Sequence, residues 1–360
     1  GKTIDRERLK RLQDAVKDAG FTHVVLLGMG GSSLAPDVMV RTFGDQAGYP
    51  QMLVLDSTDP QQVRATEKAV NLDQTLFVVS SKSGTTVETW AFFKYFWERT
   101  NGNGQQFLCI TDPDTELAAT AQEYGFWDTF LNPPDIGGRY SALSYFGMVP
   151  AALMGLDLDR AWHNADIMLE ACGETVPGDL HPGLTLGAVI GAIGKEGRDK
   201  VNIVTTQSMR YFGDWVEQLM AESIGKQNKG LIPVVGATPG KPHDHSTDRQ
   251  FIYLRVDDDS DIDAVDASVR ALREAGHPRV TMRLPDTYSL FGEFFRWEYA
   301  VALAGHIYDV NPFDEPNVTE SKEATKALLN HYRETGKLPH SAPFMTGERT
   351  KLYSNDATLA

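Results

Sequence analysis

Residues 81–89 (SKSGTTVET) combine five hydroxyl side chains with one lysine and one glycine. The apolar run before them, residues 76–79, has the length and β-branched content of a buried strand, and the apolar spacing after them is helical. The segment is therefore predicted to turn from a strand into a helix N-terminus, where unpaired backbone N–H groups favour an anion. We predict a phosphate site. The alternative is that the hydroxyls only cap the helix, which needs one hydroxyl rather than five.

A second loop of similar type is glycine-rich. Residues 28–33 (GMGGSS) follow the predicted strand 23–27 and lead into a helix beginning near Leu34. Glycines let a ligand approach the backbone closely, although a tight turn needs them for steric reasons too. Gly31 and Ser32 are the candidate ligand contacts, because the serines favour a binding role.

Two further side chains have types suited to catalysis. Arg139 lies between paired glycines and a Tyr-Ser pair, so its planar guanidinium could present directed donors to oxyanions. Glu222 ends a helical segment and could remove a proton next to a carbonyl. A solvated surface glutamate is the alternative that this stretch leaves open. His243 and His245 lack an obvious third ligand, so we predict no metal site.

The elements that position these residues alternate between strand and helix. This pattern predicts an α/β fold with doubly wound parallel sheets and ligand sites at the carboxyl ends of the strands. The architecture occurs twice along the chain. We expect a first α/β domain at 1–155, a helical bridge at 156–199, a second α/β domain with C-terminal helices at 200–345, and a tail at 346–360.

Composition narrows the function classes. The formal net charge of −15 disfavours nucleic acid and anionic membranes as partners, because both need a basic footprint. No apolar run approaches the ~20 residues of a membrane span, and no leader is visible after Gly1. Cys109 and Cys172 are too few for a disulfide framework or a zinc cluster. We expect a cytoplasmic protein that binds a small anionic molecule.

Four stretches in the same order resemble the glucose-6-phosphate isomerase (phosphoglucose isomerase) family, whose two α/β domains are of the sugar-isomerase type. They are residues 28–36 (GMGGSSLAP), 81–89 (SKSGTTVET), 135–141 (DIGGRYS) and 217–226 (EQLMAESIGK). The resemblance runs from about residue 21 to about residue 330. It implies isomerisation of glucose 6-phosphate and fructose 6-phosphate through an enediolate, without metal or cofactor. A homodimer is a further expectation.

The resemblance also implies a role for each matching residue. Glu222 would move the proton between C1 and C2, Arg139 would stabilise the enediolate oxygens, and Lys322 would assist at the ring oxygen. Ser32, with Gly31, would contact the sugar. The residues that would hold the phosphate are Ser81, Lys82, Ser83, Thr86 and Thr89.

The chain departs from the family pattern in its last signature, residues 313–322 (FDEPNVTESK), at Glu315, Asn317 and Thr319. This variant resembles the isomerase part of transaldolase-isomerase fusions. The nearest counterpart of the family's ring-opening histidine is His245, whose spacing to Gln250 differs from the pattern. We therefore expect a fragment of a longer protein, with the ring-opening histidine beyond residue 360.

Two other functions fit parts of the sequence. A non-catalytic sugar-phosphate sensor would need the phosphate loop but no base. The isomerase half of an amino-sugar synthase would lack the loop at residues 135–141 and would carry a catalytic lysine near its C-terminus. Arg139 and Glu222 favour the isomerase over both alternatives.

Overall fold

The computed structural model describes residues 4–339 and 341–354. The chain forms two compact units, one ending at Phe313 and the other beginning at Asp314. Both large sheets belong to the first unit. The domain boundaries expected from the sequence stay a prediction.

The first sheet and its helices use the N-terminal part of the chain. In order, these elements are α1 (Arg6–Asp18), β1 (His23–Gly28), α2 (Leu34–Phe43), β2 (Gln51–Leu55), α3 (Pro60–Ala69), β3 (Thr75–Ser80), α4 (Val87–Arg99), β4 (Phe107–Thr111), α5 (Glu116–Glu123) and β5 (Asp128–Leu131). The strands are all parallel in the order β2-β1-β3-β4-β5. The central strand β3 is buried at every position, which is why its sequence reads as an unbroken apolar run.

Local sequence explains several of the helix ends. The Asp5 side chain accepts a hydrogen bond from the Arg8 backbone N–H and so caps α1. Asp59 caps α3 in the same way, with Pro60 at the first helical position, where its missing N–H costs nothing.

Three helices then lead into the second sheet. The elements are α6 (Tyr145–Leu153), α7 (Leu158–Ala171), α8 (Pro182–Lys195), β6 (Lys200–Thr205), α9 (Phe212–Ile224), β7 (Ile232–Val234), β8 (Arg249–Val256), α10 (Ile262–Glu274), β9 (Arg279–Leu284) and α11 (Ser289–Ile307). The strands are again parallel, in the order β7-β6-β8-β9. The predicted α/β fold with two parallel sheets is confirmed.

One apolar core joins the inner faces of the two sheets. It contains Leu26 and Val78 from the first sheet and Ile203 and Ile252 from the second. Helix α11 packs between α7, α8 and α9, and its Trp297 is fully buried in this core. The two sheets are therefore held together by shared packing, which gives the loops between them defined positions.

The second unit contains α12 (Pro316–Thr335) and a short antiparallel hairpin of β10 (Met345–Thr346) and β11 (Lys351–Leu352). The helix was expected and the hairpin was not. Residues 355–360, the end of the expected tail, lie outside the described residues. Among the helices described here, none is long and apolar enough to cross a membrane.

Candidate active site

Two glycine loops meet in backbone contact. A Cβ atom on Gly31 would lie 2.3 Å from the carbonyl oxygen of Gly138, so the first loop has no room for a side chain at Gly31. The Ser141 hydroxyl donates to the Gly138 carbonyl at 2.6 Å and to the Gly31 carbonyl at 3.4 Å. The loop after β1 thus fixes the loop that carries Arg139.

Arg139 is buried, with 6% of its surface exposed. Its Nη1 donates to the Ser223 hydroxyl at 2.7 Å and to the Pro312 carbonyl at 3.2 Å. Its Nε lies 3.4 Å from a carboxylate oxygen of Glu222. The structure therefore brings together the arginine and the glutamate that the sequence analysis selected.

Glu222 lies in the last turn of α9, and its side chain is 30% exposed. Gln218, one turn earlier, donates to the other carboxylate oxygen at 2.9 Å. A Cβ atom on Gly30 would lie 2.9 Å from the Gln218 amide nitrogen. Glu222 is therefore held beside the first glycine loop, and it is not an isolated surface carboxylate.

Gln218, Tyr140 and Ser223 are site residues that the sequence analysis missed. The Tyr140 hydroxyl lies 3.2 Å from both the Ser223 hydroxyl and the Pro312 carbonyl. The pKa of Tyr140 is raised, mainly by burial. This hydroxyl therefore keeps its proton at neutral pH. Gln218 could have been found from the sequence, because a residue four positions away on a helix lies on the same face as Glu222. No sequence signal indicated the contacts of Tyr140 and Ser223.

The hydroxyls of the predicted phosphate loop do not cap the helix that follows. Thr86 is the N-cap residue of α4 but makes no side-chain capping bond, and its hydroxyl instead lies 2.9 Å from that of Ser81. Thr89 is 2% exposed, and its hydroxyl has no hydrogen-bond partner within the described part of the chain. Ser83 is exposed and contacts Thr85. These hydroxyls are thus grouped at a helix N-terminus, a position that favours an anion, without being used to cap the helix.

Lys82 and Ser32 connect this loop to its neighbours. Lys82 forms an ion pair with Asp112 and donates to the Pro134 carbonyl at 3.0 Å. The Ser80 hydroxyl donates to the Ser32 carbonyl at 2.9 Å, and Gly28 lies opposite Ser80 in the sheet. The phosphate loop and the first glycine loop therefore leave the carboxyl ends of adjacent strands side by side.

His245 and Lys322 lie on other elements. The His245 ring contacts Phe251 and His277, and its Nε2 contacts the Pro239 carbonyl, which places it at the amino end of β8. Lys322 lies on α12, in the second unit. Both assignments stay predictions. Across residues 4–339 and 341–354, no group of three or more His, Cys, Asp or Glu side chains is arranged to hold a metal ion.

The geometry supports a defined chemistry. A partly exposed carboxylate beside a buried guanidinium is able to take a proton from carbon while the guanidinium stabilises the oxyanion that forms. The hydroxyl-rich loop on the neighbouring strand supplies an anion site that would orient the substrate.

Comparison with known proteins gives a consistent result. Residues 13–230 match the phosphoglucose isomerase family. The glucose-6-phosphate isomerase of Carboxydothermus hydrogenoformans is 29% identical over 86% of this chain and 79% of its own. The crystal structure of a glucose-6-phosphate isomerase from Chlamydia trachomatis has a TM-score of 0.73 at 19% identity, over 91% of this chain and 74% of its own.

A hypothetical protein from Thermus thermophilus has the same fold, with a TM-score of 0.79 at 24% identity over 90% of this chain and 87% of its own. The family match covers more than half of the chain and includes Arg139 and Glu222. The chain therefore belongs to the phosphoglucose isomerase family.

Proposed function

We propose that this chain is an aldose-ketose isomerase that interconverts glucose 6-phosphate and fructose 6-phosphate, a reaction of glycolysis and gluconeogenesis. The observation that carries the proposal is the 3.4 Å pair between Arg139 and Glu222, formed where two glycine loops meet. The relatives named glucose-6-phosphate isomerase support the same substrate.

Glu222 acts as the base. Its carboxylate takes the proton from C2 of open-chain glucose 6-phosphate, the C–H electron pair forms the C1=C2 double bond, and the carbonyl electrons move to O1. Transfer of the O2 proton to O1 and return of the carbon-bound proton to C1 give the ketose. Gln218 supports this role because it holds one carboxylate oxygen at 2.9 Å and leaves the other beside Arg139.

Arg139 stabilises the charge that develops on O1 and O2. Burial strengthens this interaction because a guanidinium removed from water acts in a lower effective dielectric. Its hydrogen bonds to Ser223 and Pro312 hold the side chain in place before the substrate arrives.

The phosphate is held by Ser81, Lys82, Ser83, Thr86 and Thr89, and Gly31 and Ser32 contact the sugar. The unpartnered Thr89 hydroxyl, within the described part of the chain, and the uncapped N-terminus of α4 support this assignment. Lys322 assists at the ring oxygen, and His245 or a histidine beyond residue 360 opens the ring.

The proposed setting is the cytoplasm, and the two buried cysteines, neither in a disulfide, are consistent with a reducing compartment. A homodimer and a fusion to a transaldolase are further parts of the proposal, and mass measurement on the full-length protein tests both. Nucleic acid and membranes are not proposed as partners.

Exchange of substrate protons in heavy water tests the proposal directly. We expect the chain to incorporate deuterium at C2 of glucose 6-phosphate and at C1 of fructose 6-phosphate, even where ring opening is slow. A chain that binds these sugar phosphates without any exchange would instead be a sensor, and the proposal would be wrong.

A further inference from the structure

Within the first unit, the outer face of the second sheet is covered by fewer helices than that of the first sheet. On the first sheet, α3, α4 and α5 pack over a core that includes Phe77 and Cys109. On the corresponding face of the second sheet, α10 is the one helix described for the first unit, and the apolar cluster that it forms with the sheet has five buried residues. Within the first unit, the position next to β9, where α5 lies beside β4 in the first sheet, has no described helix.

The residues on β9 fit this difference. Strand β4 points the buried Phe107 and Cys109 at its helices. Strand β9 instead carries Arg279, Thr281 and Arg283 on that face, opposite Phe251, Tyr253 and Arg255 of β8. Cationic side chains thus replace the apolar residues that a covering helix would require.

Helix α10 faces the same space with a stripe at helical spacing. The stripe consists of Asp266, Val269, Arg270 and Arg273. Together with side chains of β8 and β9, it lines a cavity of about 600 Å³, which we call the arginine cavity. Its size is within the ~300–1,000 Å³ typical of small-molecule sites.

The arginine cavity carries unneutralised positive charge in a chain whose net charge is −15. Five arginines line it, against two carboxylates, those of Asp266 and Glu274. Two of them, Arg255 and Arg283, form ion pairs with Asp257 at the end of β8, and Arg255 also pairs with Asp266.

The other three arginines of the cavity have no ion pair within the described residues. The side chains of Arg270 and Arg273 make no hydrogen bond there either. Arg279 donates through Nη1 to the Thr281 hydroxyl at 2.5 Å, while its buried Nε has no hydrogen-bond partner in the same part of the chain. The cavity therefore contains guanidinium donors that no described residue satisfies.

We infer that the arginine cavity binds a small polyanion that carries two phosphate groups. Guanidinium groups are matched to phosphate oxygens, with several fixed donors each. Three arginines without a carboxylate partner among the described residues fit a diphosphate better than a single phosphate. The site shares no residue with the loop at 81–89, and the inference does not rest on the proposed isomerase activity.

Hydrogen exchange with inorganic pyrophosphate as the probe locates such binding on the chain. We expect pyrophosphate to slow exchange in residues 262–284, and to do so at lower concentration than orthophosphate. In the variant Arg270→Gln/Arg273→Gln, calorimetric titration should show the affinity for pyrophosphate reduced by roughly 100-fold. Loss of each charge-assisted hydrogen bond accounts for about tenfold. Arg270 and Arg273 are exposed, so the variant is expected to fold.

The matched control is Arg64→Gln/Lys68→Gln, which removes two exposed cations one turn apart on α3. In this control variant, pyrophosphate should still slow hydrogen exchange in residues 262–284. No protection there at millimolar pyrophosphate, equal protection in the Arg270/Arg273 variant, or equal loss in the α3 control would each overturn the inference. Arg283→Gln gives a second test on a different element, because this side chain is 70% exposed.

Discussion

At the level of single residues, the site depends on how Glu222 is held. One carboxylate oxygen accepts a hydrogen bond from Gln218 at 2.9 Å, and the other lies 3.4 Å from Arg139. Because both oxygens have a fixed neighbour, the carboxylate is oriented before a substrate binds, which lowers the cost of reaching a reactive geometry.

Replacing the base tests its role. We expect Glu222→Gln to lower kcat by roughly 10²- to 10⁴-fold, because an amide cannot accept the proton. Steady-state kinetics and sugar-phosphate binding measured on the same variant separate chemistry from binding. The control is Glu217→Gln, an exposed glutamate on the same helix, which should be near wild type. Loss of binding as large as the loss of kcat would contradict the assignment.

Arg139→Lys keeps the positive charge and removes the planar fork. We expect kcat to fall by about 100-fold, as for loss of one oxyanion donor, with a far-ultraviolet circular dichroism spectrum like that of wild type. A lysine cannot reproduce the donors that now reach Ser223, Pro312 and Glu222. Unchanged kcat in a folded variant would remove Arg139 from the mechanism.

At the level of elements, the site depends on the contact between two loops at the carboxyl ends of the strands of the first sheet. Gly31 and Gly138 touch through their backbones, and Ser141 donates to both carbonyls. The position of Arg139 therefore depends on the loop after β1, more than a hundred residues earlier in the chain.

Gly31→Ala tests this coupling. Its added methyl would lie 2.3 Å from the Gly138 carbonyl oxygen, so the loop must shift, at a typical cost of about 1–3 kcal/mol. We expect a lower Tm together with a lower kcat, because the shift moves Arg139. Gly178→Ala is the control, since its methyl would meet nothing within 4 Å. A stable variant with full activity would show that the contact is not needed.

The phosphate loop should affect binding more than chemistry. Thr86→Val removes one hydroxyl that lies 2.9 Å from that of Ser81. We expect KM for fructose 6-phosphate to rise about tenfold with little change in kcat, because a hydrogen bond to the phosphate is made equally in ground and transition states. Thr66→Val, at a threonine on α3, should change neither value. A fall in kcat at unchanged KM would argue against the loop as the phosphate site.

At the level of the whole molecule, α11 connects the shared core to the back of the site. Burial raises the pKa of its Glu298 to about 8, and one oxygen of this carboxylate has no hydrogen-bond partner within the described residues. Burial is the larger cause of the raised pKa of Tyr140, and the negative charge of ionised Glu298 raises this pKa further. Helix α11 therefore carries an acid that is protonated near neutral pH.

This acid predicts a pH dependence of stability. The folded-state pKa of about 8 lies above the ordinary value of 4.5, so the folded protein keeps a proton that the unfolded chain loses between these values. The free energy of unfolding therefore decreases as pH rises through this range. Chemical denaturation at about pH 6 and about pH 9 should show a smaller decrease for Glu298→Gln than for wild type. The Glu217→Gln control should match wild type, and identical slopes for all three proteins would contradict the prediction.

Much of this protein was readable from local sequence. Strand and helix positions follow from apolar periodicity and from caps such as Asp59-Pro60, because both signals lie within a few residues of each other. The same is true of the loop at residues 81–89 and of the glycines that frame Arg139, which is why the fold class and the family were predicted.

Packing between distant segments decided the rest. Gln218, Tyr140 and the Pro312 carbonyl joined the site only through contacts of the folded chain, since residues 139, 222 and 312 meet across two sheets and a turn. The arginine cavity likewise depends on the absence of a described helix over β9 within the first unit, a feature of topology that no short stretch of sequence carries. The sequence by itself determined the elements and most of the reactive side chains, whereas the tertiary structure decided which of them meet, because long-range contacts depend on how whole faces pack.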